Sequence, residues 1–596
     1  MRIDLKFFYN KFAPIGSKRN LVAQRFITFI RRKFQLRNRN YQKWIERFDQ
    51  ITAHPIKKAA VTAGPFSIGT KFSIIMPVYN PSLILLEEAI QSVRNQTYPN
   101  WELCIADDAS TSQGVRDLIR KHAIEDKRVH FVMREQNGNI SAASNSALEL
   151  ATGDYIVLLD HDDKLHIDAL SAAARVVKNH PDAEIVYSDR DKITVKWDRY
   201  DPYFKPDFNY ELLLCHNFVS HMDIYKLETV RKVGGFRLGL EGSQDYDLLL
   251  RVMEQIKPDQ VHHIPRVLYH WRASSQSVAE NINVKPYAVE AGERALNEHL
   301  VRSGVKARVK FNPELTAYQV EYDLQEPYPE IEFVILSSCL EGSCRVVKLL
   351  LESTNYKKLR VTLAISDDKF DPAVESLQID PRVSIVKVDS DLGYNRWLNH
   401  WIPLSTANFI GAIDENIISF TIGWVEILLG QAIQQGIGAV GPKLLDARGR
   451  VFSNGIVLDQ DRMVTHLFRG KSKDYVGYFG WGQLQWGYSA ISGKCILFKR
   501  ENYISVGGLS EGLYTREYSW TDFCLKIRDF GLRNIICPTA RVKLGRNKKG
   551  GGEYEDLDLD RDYIKNEWSH WLADDPSFNP NLTIKKGNIR INLSSL

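Results

Sequence analysis

"VLLDHDDKL", residues Val157–Leu165, drives three apolar side chains straight into three carboxylates and a histidine. With the preceding "DYI" it reads as a buried strand that stops at Asp160. Asp160, Asp162 and Asp163 then follow within four positions. Carboxylates this close repel one another, so a positive partner between them is expected.

Working upstream, "FSIIMPVYN" from Phe72 is a short buried strand ending at a proline and an asparagine. "SLILLEEAIQSVRNQ" follows with Leu86, Ala89, Ile90 and Val93 at helical spacing. "WELCIADDAS" is a second strand, running into Asp107 and Asp108; "RVHFVMRE" is a third, and "ISAASNSALELA" a helix. Strands alternating with helices predict a mostly parallel, Rossmann-like sheet covered on both faces. Ligands of such sheets sit beyond the carboxyl ends of the strands. Pro77–Asn80, Asp107 with Asp108, and Asp160–Asp163 all fall at such ends, so they are expected to share one crevice.

Downstream the order repeats. "IEFVILSS" at 331, "CRVVKLLLES" at 344 and "LRVTLAISDD" at 359 are strand, helix and strand, the last ending at Asp367 and Asp368. Asn399 lies as far before Asp414 as Asn145 lies before Asp160. "KVGGF" at 232 is echoed by "SVGGL" at 505, and "SQDYDLLLR" at 243 by "WTDFCLKIR" at 520. The expected organisation is a basic helical extension over 1–68, a domain over 69–300, a polar linker over 301–330, a divergent second copy over 331–550, and a tail over 551–596.

With 596 residues, 44% hydrophobic and 25% charged, the chain is of ordinary globular composition and too long for one core. No uninterrupted apolar run is long enough for a spanning helix. Seven scattered cysteines fit a reducing cytoplasm with free thiols. Residues 1–48 hold 13 Lys and Arg against two acids. Val22, Phe26, Ile30 and Phe34 recur every four residues there, a basic amphipathic pattern suited to an anionic membrane surface, the inner membrane in a bacterium. Nucleic acid is not expected as a partner, because no binding motif accompanies the charge.

Asp160 and Asp162 have the D-x-D spacing that, with phosphate oxygens, suits Mg2+ or Mn2+. "PVYN", "ADDAS", "NISAASN", "LLDHDD", "VGGF", "EGSQDYDLLLR" and "YHWR" occur in that order between 77 and 272. Together they resemble a family 2 glycosyltransferase of the GT-A fold, of bacterial polysaccharide type, and the second half resembles the family more loosely. The resemblance implies two tandem GT-A domains and an inverting, metal-dependent sugar transfer from a nucleotide-diphosphate donor. The acceptor would be a glycan or lipid-linked glycan of an O-antigen- or capsule-like polysaccharide. It further implies that Pro77, Tyr79, Asp107, Asp108 and Asn145 hold the nucleotide sugar. Asp160 would hold the ribose and, with Asp162 and His270, the metal; Arg272 would contact the diphosphate, and Asp245 would be the general base.

The second copy departs from this pattern. Asp414-Glu415-Asn416-Ile417 stands for Asp160-His161-Asp162-Asp163, and no histidine matches His270. Asp367, Asp414 and Asp522 remain as its candidates, with Asp522 read as the counterpart of Asp245. Lys543, Arg546, Lys548 and Lys549 could replace metal charge or bind a polyanion. The copy is expected to be degenerate, a glycan-binding module, or a second transferase of altered chemistry. A nucleotidyltransferase would need a Gly-rich phosphate loop near the first strand, and "MPVYNPS" has none.

Overall fold

The computed structural model describes residues 39–49, 69–272, 286–389, 391–459, 463–546 and 558–594. The chain divides into two units: Met1–Phe204 with Val219–Gly292 and Ile591–Leu596, and Lys205–Phe218 with Glu293–Arg590. The amphipathic stretch Val22–Phe34 lies outside the described residues.

The first unit is built on a nine-stranded sheet in the order β3-β2-β1-β4-β8-β6-β9-β5, with β7 paired to β6. The strands are β1 (Phe72–Val78), β2 (Trp101–Asp107), β3 (Val129–Met133), β4 (Tyr155–Leu158), β5 (Lys164–Leu165), β6 (Ile185–Ile193), β7 (Arg199–Tyr203), β8 (Asp223–Lys226) and β9 (Val261–Arg272). β3, β2, β1 and β4 are all parallel, as their alternation with helices predicts. The other half of the sheet is mixed, because β8 runs antiparallel to both β4 and β6, and β5 antiparallel to β9. Every residue of β2 is buried, which is why that strand is a nearly continuous apolar run with no polar alternation. Ile74, Met76, Leu103, Ile105 and Val157 meet the helix residues Leu86, Ile90 and Val93 in one core. The helix Arg39–Phe48 buries Tyr41 and Trp44, the latter against Phe204 at 5.0 Å between ring centres.

The second unit opens with a hairpin, β10 (Ala307–Asn312) and β11 (Ala317–Tyr322), within the stretch read as linker. Its main strands are β12 (Ile331–Ser337), β13 (Leu359–Ser366), β14 (Val383–Val388), β15 (Phe409–Ile413), β16 (Ile417–Phe420), β17 (Ile437–Leu445), β22 (Cys495–Lys499) and β23 (Arg533–Leu544). The short strands β18 (Val451–Ser453) and β21 (Trp486–Tyr488) pair with β17 and β23, while β19 (Ile456–Asp459) pairs with β20 (Met463–His466). The order β14-β13-β12-β15-β22-β17-β23-β16 matches the first sheet place for place. The senses match too: β12, β13 and β15 are parallel, and β22 runs antiparallel to β15 and β17. Ile564, Trp568 and Leu572 of the C-terminal stretch pack with Leu525 in a satellite core of this unit.

One clasp repeats in both units. Asn145 donates Nδ2–H to the Phe236 carbonyl at 2.7 Å and accepts the Phe236 N–H at 2.8 Å. Asn399 does the same with Leu509, at 2.8 and 3.0 Å. In each unit the glycine before the clasped residue, Gly235 or Gly508, has φ near +67 or +68°. A Cβ there would also collide with the asparagine Oδ1, so the Gly-Gly pair and the distant asparagine belong to one device. Replacing Asn145 or Asn399 by Ala leaves a backbone donor and acceptor unpaired. Each change should cost about 1–3 kcal/mol in denaturant unfolding; unshifted midpoints in both variants would rule out a stabilising clasp.

Candidate active site

The carboxyl ends of β1, β2 and β4 are bonded to one another. Asp108 donates its backbone N–H to the Val78 carbonyl at 2.8 Å, and His161 Nδ1 donates to the Pro77 carbonyl at 3.2 Å. Beyond β1, Asn80 donates its N–H to Ser110 Oγ at 2.9 Å and accepts the Thr111 N–H at 2.9 Å. These bonds bring Pro77, Tyr79, Asp107, Asp108 and Asp160 to one sheet edge. Tyr79 is 48% exposed there.

Buried Asp107 accepts Ser110 N–H on Oδ2 at 3.3 Å, with Arg116 Nε at 3.4 Å, while its Oδ1 has no hydrogen-bond partner among the described residues. Asp108 is engaged by the protein: Arg134 Nε donates to it at 2.8 Å, and Gly138 N–H at 2.9 Å. Asn145, expected at the nucleotide sugar, has its amide committed to the clasp with Phe236.

Asp160 and Asp162 are half-buried and Asp163 is buried. Tyr269 Oη–H donates to Asp163 at 2.6 Å, and the Arg272 N–H does so at 2.6 Å. Burial, then the charges of Asp162 and Asp160, push the Asp163 carboxyl well above the ordinary carboxylate range. Arg272, expected at the diphosphate, is buried. Its guanidinium donates to the Asp162 carbonyl at 2.8 Å, the Thr194 carbonyl at 3.3 Å and Glu88 at 2.6 Å. It acts as a strut beneath the acidic loop, with its charge paired to Glu88.

His270 lies two residues before Arg272 on β9 and pairs across to Lys164 of β5. Its Nδ1–H donates to buried Asp191 at 2.7 Å. Tyr41 Oη–H and Arg199 Nε–H also donate to Asp191, at 2.6 and 2.5 Å. Arg199 continues to Asp49 at 2.7 Å, and Asp49 to His166 at 3.2 Å. Burial, outweighing the pull of Asp191, lowers the His270 pKa and favours a neutral ring. Its Nε2 then carries the lone pair, the arrangement of a metal-binding histidine backed by a carboxylate. No group of three His, Cys, Asp or Glu side chains able to hold a metal occurs among the described residues. A carboxylate such as that of Asp162 and an imidazole nitrogen such as His270 Nε2 are donor types that Mg2+ or Mn2+ accepts alongside diphosphate oxygens. The sequence reading missed Asp191. The alternation "SDRDK", with Asp189 and Asp191 both inside a buried strand, was the available signal.

Asp245 and Asp247 both sit in the first turn of the helix Gln244–Met253. Asp247 is buried and holds Arg237 Nε at 3.1 Å and Arg251 Nε at 2.9 Å, whereas Asp245 is half-buried. In the second unit Asp522 is buried and bonded to Ser510 at 2.8 Å, Lys526 at 2.8 Å and Trp568 Nε1 at 3.0 Å. Arg237 and Ser510 each lie two residues after the second glycine of their Gly-Gly pair. Arg251 and Lys526 each lie four residues after their aspartate. By these contacts Asp522 answers to Asp247, two residues on from the Asp245 expected of it. Trp520, fully buried and donating to the Tyr394 hydroxyl at 3.0 Å, stands at the Asp245 place.

The remaining acids of the second unit are also diverted. Asp414 is held by Lys494 at 3.2 Å, which lowers its pKa despite burial. Glu415 turns to the start of the helix Leu340–Ser353, accepting from Ser338 N–H at 2.8 Å and Cys339 N–H at 2.9 Å. Asp367 is exposed and lies two residues beyond Ile365, the register counterpart of buried Asp107. Lys548 and Lys549 lie outside the described residues.

Residues 73–234 match the sequence model of the family described as Glycosyl transferase family 2. The chain is 37% identical over 533 residues to an uncharacterized protein of Sinorhizobium fredii, covering 87% of this chain and 58% of that protein. It is 28% identical over 525 residues to an O-antigen biosynthesis protein of Myxococcus xanthus, covering 86% of this chain and 40% of that protein. The chain thus spans about half the length of these curated relatives. A crystal structure of Staphylococcus aureus TarS 1–349 with UDP aligns over 39% of this chain and 71% of its own, at 21% identity and a TM-score of 0.30.

Removing one partner of a buried ion pair costs about 3–5 kcal/mol. Arg237 is partly exposed, so Asp247→Asn should fall at the lower end of that range in denaturant unfolding. Asp245→Asn should cost less than Asp247→Asn in the same measurement; an equal loss from both would make Asp245 structural.

Proposed function

We propose that the first unit, whose residues 73–234 match the model of glycosyl transferase family 2, moves a sugar from a nucleotide-diphosphate donor to a glycan or lipid-linked glycan, with inversion. The product is a bacterial surface polysaccharide, a reading supported by the likeness to the O-antigen biosynthesis protein of Myxococcus xanthus. One observation carries the proposal. The bonded ends of β1, β2 and β4 present an unpartnered buried oxygen, Asp107 Oδ1, beside the half-buried pair Asp160 and Asp162. A buried acceptor without a donor is costly, so a ligand N–H or O–H is the expected occupant.

In this reading Tyr79 offers its exposed ring to the nucleobase, and Asp107 accepts from the base or ribose. Asp108 holds the loop before the helix Asn139–Glu149, and Asn145 holds the Gly-Gly loop. Asp160 faces the ribose, and Asp162 with His270 would hold Mg2+ or Mn2+. A divalent cation bound there supplies positive charge to the departing diphosphate. Asp245 takes the proton from the acceptor hydroxyl, and direct displacement then inverts the anomeric centre. The side chain of Arg272 keeps the acidic loop at the strand end.

The second unit keeps the scaffold without this chemistry: Trp520 replaces the base, Asp414, Glu415 and Asp522 are bonded inward, and Asp367 is exposed. Asp245→Asn should therefore lower the formation of every glycan product about 10²–10⁴-fold, while nucleotide binding measured by calorimetry persists. A product linkage that survives in Asp245→Asn would make the second unit a working transferase. Chelation should abolish donor turnover, and Mg2+ or Mn2+ should restore it; full turnover in excess chelator would remove the cation from the scheme.

The basic N-terminal segment holds the chain at an anionic membrane surface, with each Lys or Arg near the lipid contributing roughly 1 kcal/mol. Tyr41 and Trp44 are buried in the first unit, so the test truncation must stop short of them. Removing Met1–Arg37 should release the protein from vesicles rich in anionic lipid. Equal vesicle binding by the full and shortened chains would reject the anchoring role.

A further inference from the structure

The strand ends of the second unit enclose a cavity of about 440 Å3 lined by Asn416, Arg448, Arg450, Phe452, Lys494 and Arg546. It occupies the place that the Asp160–Asp163 loop takes in the first unit, since β15 and β16 repeat β4 and β5 in sheet order. The sign of the charge is reversed. Arg450 is paired with Asp446 at 3.1 Å and Lys494 with Asp414 at 3.2 Å, so these two cations are balanced. Arg448 and Arg546 are exposed at the cavity, and neither guanidinium has a partner among the described residues. Phe452 adds an apolar face, with the Lys494 ammonium 5.7 Å from its ring centre. Two unpaired guanidiniums beside an aromatic face and an amide suit an oxyanion carried on a ring: the fork binds carboxylate or phosphate, and the apolar face takes the ring.

We propose that this cavity is a metal-free binding site for an anionic sugar residue of a glycan, a carboxylate or phosphate gripped by Arg448 and Arg546. That the ligand is a glycan rests on the transferase reading of the first unit. A nucleotide diphosphate carries similar charge but fits less well. By register, buried Asp107 of the first unit is replaced here by Ile365, with exposed Asp367 two residues beyond, so this position offers no buried acceptor to a base or ribose.

The test is calorimetry on the full chain in chelating buffer. The probes are a glucuronate-containing tetrasaccharide, glucose 1-phosphate, a neutral tetrasaccharide and UDP. The proteins are the native chain, Arg448→Ala/Arg546→Ala, Arg448→Gln/Arg546→Gln and Asp162→Asn, each checked for an unchanged thermal midpoint. At least one anionic probe should bind the native chain at least tenfold more tightly than the neutral one. That binding should fall at least tenfold in both arginine variants, weaken with salt, and survive Asp162→Asn. Equal binding by native and arginine-variant chains, or by charged and neutral saccharides, overturns the site. Loss of UDP binding in the arginine variants, with saccharide binding intact, overturns the glycan assignment in favour of a nucleotide. Nucleoside diphosphate release from a panel of sugar donors is followed in parallel. Arginine-dependent saccharide binding without release from any donor would fail the transferase reading and leave the anion site standing.

Discussion

The pair of hydrogen bonds that Tyr269 and the Arg272 backbone give to Asp163 carries the first unit's crevice. A carboxylate taken out of water beside two others is penalised by desolvation and by repulsion, several kcal/mol unless donors surround it. Here both oxygens are met from β9, and the Arg272 guanidinium then reaches the Asp162 carbonyl, Thr194 and Glu88. One strand end thereby fastens the acidic loop to the helix Leu83–Arg94 and to the turn after β6. With Asp163 held inside, Asp160 and Asp162 are left facing the edge of the sheet.

A second buried network stands behind the first. Asp191 gathers Tyr41, Arg199 and His270, and Arg199 passes the link to Asp49 and His166. Tyr41 and Asp49 come from the N-terminal segment, so residues 39–49 belong structurally to the first unit. The carboxylate orients the His270 ring and fixes which nitrogen points away from it, a role often filled behind metal-binding histidines.

The two units show how far one scaffold can diverge at its strand ends. Strand order, strand sense and the Asn–Gly-Gly clasp are kept. In the second unit Lys494 neutralises Asp414, Glu415 feeds a helix start, and an indole stands where Asp245 stands. None of these changes touches the sheet, because strand-end side chains project beyond the packed core and can be exchanged without reshaping it.

The α/β class, the parallel order of β1–β4, the internal duplication and the acidic strand ends were legible in the chain itself. Apolar periodicity and the positions of charge are local properties, and "FSIIMPVYN" and "VLLDHDDKL" state them outright. Register between distant segments is not local. Sequence spacing set Asp522 against Asp245, whereas the partners of Asp522 match those of Asp247, because two more residues separate the Gly-Gly pair from the aspartate in the second unit. Arg272 read as a ligand contact and is a buried strut; Asn145 read as a sugar contact and is a loop clasp. Whether a polar side chain faces a ligand or the protein depends on which donors and acceptors surround it. Those neighbours come from segments tens to hundreds of residues away, so only the folded chain decided it.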